Sequence, residues 1–76
     1  SILIAITPSG EIWIDRRVVD IRSVRAAIER LRAENPEGAV VIQGDREAQI
    51  GLLVQVMDQV RKAGVSNVSI AATPGE

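Results

Sequence analysis

The sequence contains no cysteine and no histidine, and each absence removes a class of chemistry. Without cysteine there is no disulfide framework and no thiolate metal site. Without histidine the chain lacks the side chain that titrates near neutral pH and the commonest nitrogen ligand of metals. No phosphate-binding loop, paired-glycine fingerprint or metal-ligand cluster replaces them. We therefore predict that the chain is not an enzyme and uses no cofactor or metal.

An excess of one charge and a long apolar run are also missing. Nine Lys and Arg residues against ten Asp and Glu give a formal net charge of -1, which provides no field to hold a phosphate backbone, so nucleic acid is disfavoured as a partner. The longest apolar run, Ile2 to Ile6, falls far short of the roughly 20 residues of a membrane helix. Because the chain begins at Ser1 directly before this strand-like run, we expect it to be a piece of a longer protein.

The length and composition predict one small folded domain over residues 1–76. A chain of 76 residues has room for a single core, and 46% hydrophobic with 25% charged residues is typical of a folded chain. A domain of this size buries only about 60% of its extendable surface, so self-association would help its stability.

Strand patterns occur at both ends and in the middle of the chain. Residues 2–6 are apolar and mostly β-branched, residues 8–10 supply turn chemistry, and residues 11–15 alternate between polar and apolar, which predicts a β-hairpin. Residues 39–43 form a short apolar run, typical of a strand flanked by others. Residues 65–73 alternate again and predict the last strand, before a tail that ends at residue 76.

Two stretches have helical periodicity. Asp20 is the expected N-cap of a first helix over residues 21–34, which residues 35–38 end with a proline and a glycine. A second helix is predicted from residue 50 to residue 63, with Gly64 at its left-handed C-terminal cap. Its start is left open, because Asp45 either caps an earlier start or lies in a loop before Gln49.

The predicted order β-β-α-β-α-β gives an α/β (α+β) fold, a two-layer sandwich with a mixed four-stranded sheet and both helices on one face. One face of this sheet is aliphatic, formed by Ile2, Ile4, Ile6, Ile12, Ile14, Val40, Ile42, Val68 and Ile70. The other face is of intermediate polarity and consists of Leu3, Ala5, Trp13, Val41, Gln43, Ser69 and Ala71. We expect this second face to be an interaction surface.

Ordered motifs along the chain resemble the periplasmic domain of the ExbD/TolR family. They are Val40-Val41-Ile42-Gln43-Gly44-Asp45, Val56-Met57-Asp58, Ala63-Gly64-Val65 and Val68-Ser69-Ile70, together with Ile4-Ala5-Ile6, Gly10-Glu11-Ile12-Trp13-Ile14 and Val18-Val19 upstream. Two residues depart from the family pattern, since members usually carry an aromatic residue where this chain has Ile50, and Gly51 is an unusual residue in the opening turn of a helix.

The resemblance implies a subunit of a proton-motive-force-driven motor of the bacterial inner membrane. It implies a homodimer, an ExbB/TolQ-like channel subunit and a TonB- or TolA-like client as partners, and peptidoglycan as a further ligand. Family members have a membrane helix with a proton-carrying aspartate and a linker before this domain, which lies in the periplasm. We therefore expect a membrane-anchored whole protein whose proton carrier is outside this chain.

Two sets of residues are the candidate sites. Asp45, Met57, Asp58 and Gly64 match family landmarks and are expected to be structural. The candidate dimer or partner-peptide surface consists of Trp13, Val68, Ser69, Ile70, Ala71, Ala72 and Thr73. For Trp13 the equal alternative is a partly covered surface residue without a partner. The alternatives are a small-ligand-binding regulatory module, which would need convergent polar groups in a pocket, and a peptidoglycan-binding module.

Residues 16–32 contain six arginines against three acidic residues in and around the stretch, so this region is locally basic. An anionic surface is one possible partner. The alternative that we favour is a solvated helix face with local ion pairs such as Arg25 with Glu29.

Overall fold

The computed structural model describes residues 1–73 and shows a five-stranded sheet with two helices. The strands are β1 (Ile2–Ile6), β2 (Ile12–Ile14), β3 (Arg17–Val19), β4 (Val40–Asp45) and β5 (Val68–Thr73). The helices are α1 (Val24–Glu34), preceded by a 3₁₀ turn at Ile21–Ser23, and α2 (Ile50–Lys62). Residues 74–76 of the predicted tail lie outside the described residues.

The predicted count of four strands is wrong, although the fold class is confirmed. The strand order across the sheet is β3-β2-β1-β4-β5. The additional strand β3 pairs antiparallel with β2 through a two-residue turn in which Asp15 (φ 54°) and Arg16 (φ 66°) are both left-handed. Such turns match the twist of the flanking strands but usually contain glycine. Because this turn has none, the sequence pattern does not indicate a second hairpin.

The sheet is mixed, as predicted. Antiparallel pairing joins β1 to β2 and β2 to β3, whereas β4 is parallel to both of its neighbours, β1 and β5. Parallel neighbours need a crossover connection, and the two helices lie in the connections to β4 and from β4 to β5.

Both helices cover the same face of the sheet, which confirms the two-layer architecture. The side chains at the centre of the core, all fully buried, come from both layers: Ile4, Val24, Ile28, Val40, Ile42, Val56 and Val60. The predicted aliphatic face holds over β1, β2 and β4. On the edge strand β5 it does not, since Val68 is half-buried and Ile70 is 49% exposed.

The start of α1 is capped in two steps. Asp20 accepts a hydrogen bond from the backbone N–H of Arg22 (2.8 Å), so it caps the 3₁₀ turn rather than α1 itself. A second hydrogen bond, from the side chain of Arg22, lowers the pKa of Asp20. Ser23, at the N-cap of α1, makes no side-chain capping bond. The N–H of Arg25 instead donates to Oε1 of Gln59 on α2 (3.1 Å), so one helix caps the other.

Candidate partner-binding surfaces

The face of the sheet that the helices leave uncovered, here called the open face, carries one row of residues that crosses all five strands. The register aligns Val18, Trp13, Ala5, Gln43 and Ala71 from β3 to β5. Trp13 is 38% exposed. Its indole N–H donates to Oε1 of Glu11 at 3.3 Å. The open face is therefore a continuous, partly apolar surface with one aromatic ring.

The predicted surface residues do not form one compact site. Trp13 lies on β2, and β5 is three strands away across β1 and β4. At about 4.8 Å per strand, this separation is roughly 14 Å. Ser69 and Ala71 share the open face with Trp13, whereas Val68 and Ile70 lie on the helix side of β5. The candidates thus divide into a tryptophan on the open face and an edge strand.

The strand β5 is an edge of the sheet within residues 1–73, so half of its backbone groups face away from β4. The hydrogen bond from Val40 N to Asn67 O (3.1 Å) fixes the phase of the parallel pairing. In that phase Ser69 and Ala71 bond to β4, and the N–H and C=O groups of Val68, Ile70 and Ala72 point outward. An added strand would pair with these outward groups.

Exposed apolar side chains line this edge on its helix side. Ile50 is 77% exposed and Ile70 is 49% exposed. Both line a small cavity of about 150 Å³ between the start of α2 and β5. We call these two residues the β5 edge patch. Val54 is also exposed (57%), but at about 100° per residue it lies roughly 120° around α2 from the buried Val60, on the side away from the core.

The landmark residues have local partners or backbone roles. Oδ1 of Asp45 accepts from the N–H of Glu47 (2.9 Å), in the turn between β4 and α2. Asp58 is exposed and pairs with Lys62 along α2 (3.0 Å). Met57 is half-buried against the core.

Gly64 follows Ala63, the C-cap of α2, and has φ 87°, the left-handed conformation expected at this position. The predicted end of the second helix is therefore confirmed to within one residue.

The basic stretch is partly neutralised by its own neighbours. Arg22 pairs with Asp20, and the predicted pair of Arg25 with Glu29 is present at 3.1 Å. Both pairs are exposed, and such pairs contribute little to stability. The guanidinium groups of the arginines at positions 16, 17 and 30 have no hydrogen-bonding or ionic partner within residues 1–73.

Within residues 1–73 there is no cluster of three or more Asp or Glu side chains that could hold a metal ion. None of the helices in that part of the chain is long and apolar enough to cross a membrane.

Comparison with known proteins places the chain in a family. The family model described as biopolymer transport protein ExbD/TolR matches residues 1–75. The chain belongs to the ExbD/TolR family. The resemblance read from the sequence motifs is therefore confirmed.

Two relatives are members of the ExbD/TolR family by name. A protein of Vibrio cholerae serotype O1, named biopolymer transport protein exbD2, is 42% identical over 71 residues, which is 93% of this chain and 53% of the relative. A Synechocystis protein, named putative biopolymer transport protein ExbD, is 24% identical over 74 residues, which is 97% of this chain and 28% of the relative. The chain thus spans about half of the first ExbD protein and about a quarter of the second.

Proposed function

We propose that this chain is the periplasmic domain of an ExbD/TolR-like subunit of a proton-motive-force-coupled motor in the bacterial inner membrane. In this role the domain does no chemistry. It forms a homodimer and engages an extended segment of a TonB- or TolA-like protein, while the whole protein is anchored in the membrane beside an ExbB/TolQ-like channel. Membership in a family of biopolymer transport proteins supports this role.

The observation that carries the proposal is the combination of an unpaired strand edge with exposed apolar side chains beside it. Outward backbone groups on β5 provide hydrogen bonds for an added strand. The β5 edge patch provides apolar surface on the helix side, which the same strand would remove from water. A second copy and a client segment would use this edge in the same way.

Photo-crosslinking in cells tests this surface on the full-length protein. A benzoylphenylalanine in place of Ala72, whose backbone points outward from β5, should give adducts with a second copy and with the TonB- or TolA-like client. The same residue in place of the exposed Ala33 on α1 is the matched control and should give neither. Equal adducts at both positions would contradict the assignment of the edge.

A backbone test separates strand pairing from simple proximity. Ala72→Pro removes one outward N–H without removing a hydrogen bond to β4, whereas Ala72→Val keeps the N–H and adds a β-branched side chain. We expect sedimentation velocity to show weaker dimerisation for the proline variant alone. Identical dimerisation of the two variants would argue against pairing through β5.

Two other functions stay predictions. A small-ligand regulatory module would require a metabolite that binds at a defined pocket, and a peptidoglycan-binding module would require retention on isolated sacculi. Binding of the 76-residue chain to sacculi is compatible with the motor role, whereas a metabolite that changes the dimer would favour the regulatory module.

A further inference from the structure

A groove runs along the opposite edge of the sheet, between β3 and α1. It encloses about 520 Å³, and its main lining residues are Arg17, Val18, Val19, Ser23, Ala26 and Arg30. We call it the β3 groove. Ser23, at the N-cap of α1, and the helical residues Ala26 and Arg30 lie on one side by their spacing, and the two small side chains leave space beside the strand.

The strand side of the groove presents unpaired backbone. The turn at Asp15 and Arg16 joins Ile14 to Arg17, and in a two-residue hairpin these flanking residues are a hydrogen-bonded pair. The N–H and C=O of the next residue, Val18, therefore point away from β2. A chain laid antiparallel on β3 would exchange two hydrogen bonds with Val18.

The charge of the groove is positive on the helix side. Arg17 lies opposite the buried Ile14 in the register, so its side chain is on the face that α1 covers, where Arg30 also lies. Neither guanidinium has a hydrogen-bonding or ionic partner among the described residues. Their neighbours on the same stretch, Arg22 and Arg25, are already paired with carboxylates.

We propose that the β3 groove binds an extended acidic segment of another protein, paired with β3 as an added strand. Carboxylates at two alternate positions would lie on the helix side beside Arg17 and Arg30, and the residue between them would lie on the open face beside Val18. A second copy of this chain does not fit, because no strand within residues 1–73 carries two carboxylates. The groove and the unpaired edge favour a peptide over a flat anionic membrane.

This site is distinct from the β5 edge by position and by chemistry. The two edges lie on opposite sides of the sheet, and the β5 edge patch is apolar whereas the β3 groove is basic. The domain can therefore hold two different extended segments at the same time, and the failure of one site leaves the other untouched.

The probe for this site is a fluorescein-labelled peptide, TEVEVT, compared with its lysine counterpart TKVKVT by fluorescence anisotropy on the 76-residue chain. We expect the glutamate peptide to bind and the lysine peptide not to bind. Replacing both Arg17 and Arg30 by Gln should weaken binding by about fivefold or more, and added salt should weaken it further. The matched control replaces Arg61, exposed on α2, by Gln and should leave the affinity unchanged.

A second pair of variants tests the backbone contact. Val18→Pro removes the outward N–H while leaving the pairing with β2 intact, and it should abolish binding, whereas Val18→Thr should retain it. Amide shifts in a ¹⁵N spectrum should concentrate on β3 and on the start of α1. The proposal is overturned if the shifts lie on β5, if the arginine variants bind like the Arg61 control, or if only phosphatidylglycerol vesicles bind.

Discussion

Because a residue of α2 caps α1, we predict a loss of stability that no local sequence pattern indicates. The N–H of Arg25 donates to Oε1 of Gln59 at 3.1 Å, while Ser23 provides no side-chain cap. Gln59→Ala removes this acceptor and leaves an N–H in the first turn of α1 without a protein partner. We therefore expect the variant to loosen the start of α1 although the substituted residue is on the other helix.

The size of the effect follows from the kind of bond that is lost. Loss of a helix cap or of one hydrogen bond of this type costs about 1 kcal/mol. For a domain of this length, 1 kcal/mol lowers the melting temperature by about 4–8 °C. Chemical denaturation followed by circular dichroism should show the same loss in the free energy of unfolding.

Gln55→Ala is the matched control, because Gln55 is exposed one turn earlier on α2 and makes the same change in helix propensity. Gln59→Glu is a second control that keeps an acceptor and places a negative charge at the helix N-terminus. We expect both controls to be as stable as the parent, or slightly more stable. Hydrogen exchange of the Arg25 amide should accelerate only in Gln59→Ala. Equal unfolding free energies for the two alanine variants would refute the capping role.

Three further predictions concern stability. Gly64→Ala should lower the free energy of unfolding by about 1 kcal/mol, because φ is 87° at this position. Gly51→Ala, in α2 with open space around the added Cβ, should raise it by about 0.5 kcal/mol. Thermal unfolding measures both changes. Val56→Ala, at a fully buried site, should lower the free energy of unfolding by about 2–3 kcal/mol in urea titrations. Val54→Ala, at an exposed site of the same helix, should lower it by less than about 0.5 kcal/mol. The side-chain hydrogen bond from Arg22 lowers the pKa of Asp20 from its ordinary value of 3.8. The stabilisation by the ionised Asp20 is therefore present above pH 3.8 and is lost as the pH falls through the lowered pKa. Asp20→Asn should flatten this acid limb of the plot of stability against pH.

The elements with strong periodicity could be predicted from the sequence, and the strand β3 could not. The strand β1 and the helix α2 have several residues each in phase with their own period, and the structure confirms both. The strands β2 and β3 have three residues each, but a turn with Gly10 precedes β2, whereas Asp15 and Arg16 precede β3. Asp tolerates a left-handed backbone, which is the one available signal, but an arginine in the same conformation is not one.

Sequence patterns could not predict the tertiary cap on Arg25 either. Capping motifs join residues a few positions apart, whereas Gln59 and Arg25 are 34 positions apart and meet only because α1 and α2 pack on the same face. Asp20 does have the expected capping contact, but it acts on the 3₁₀ turn, since the chain makes three residues of 3₁₀ structure before α1 begins.

The apolar residues of α2 occupy more than one side of the helix, which spacing alone does not resolve. At about 100° per residue, Ile50 and Val54 lie roughly 80° and 120° around the helix from Val60. Val56 and Val60 are fully buried, whereas Ile50 and Val54 are exposed. Of the two exposed residues, Ile50 lines a small cavity together with Ile70 of the edge strand β5. This apolar pair beside the outward backbone groups of β5 is the reason for proposing partner binding at this edge rather than at the tryptophan on the open face.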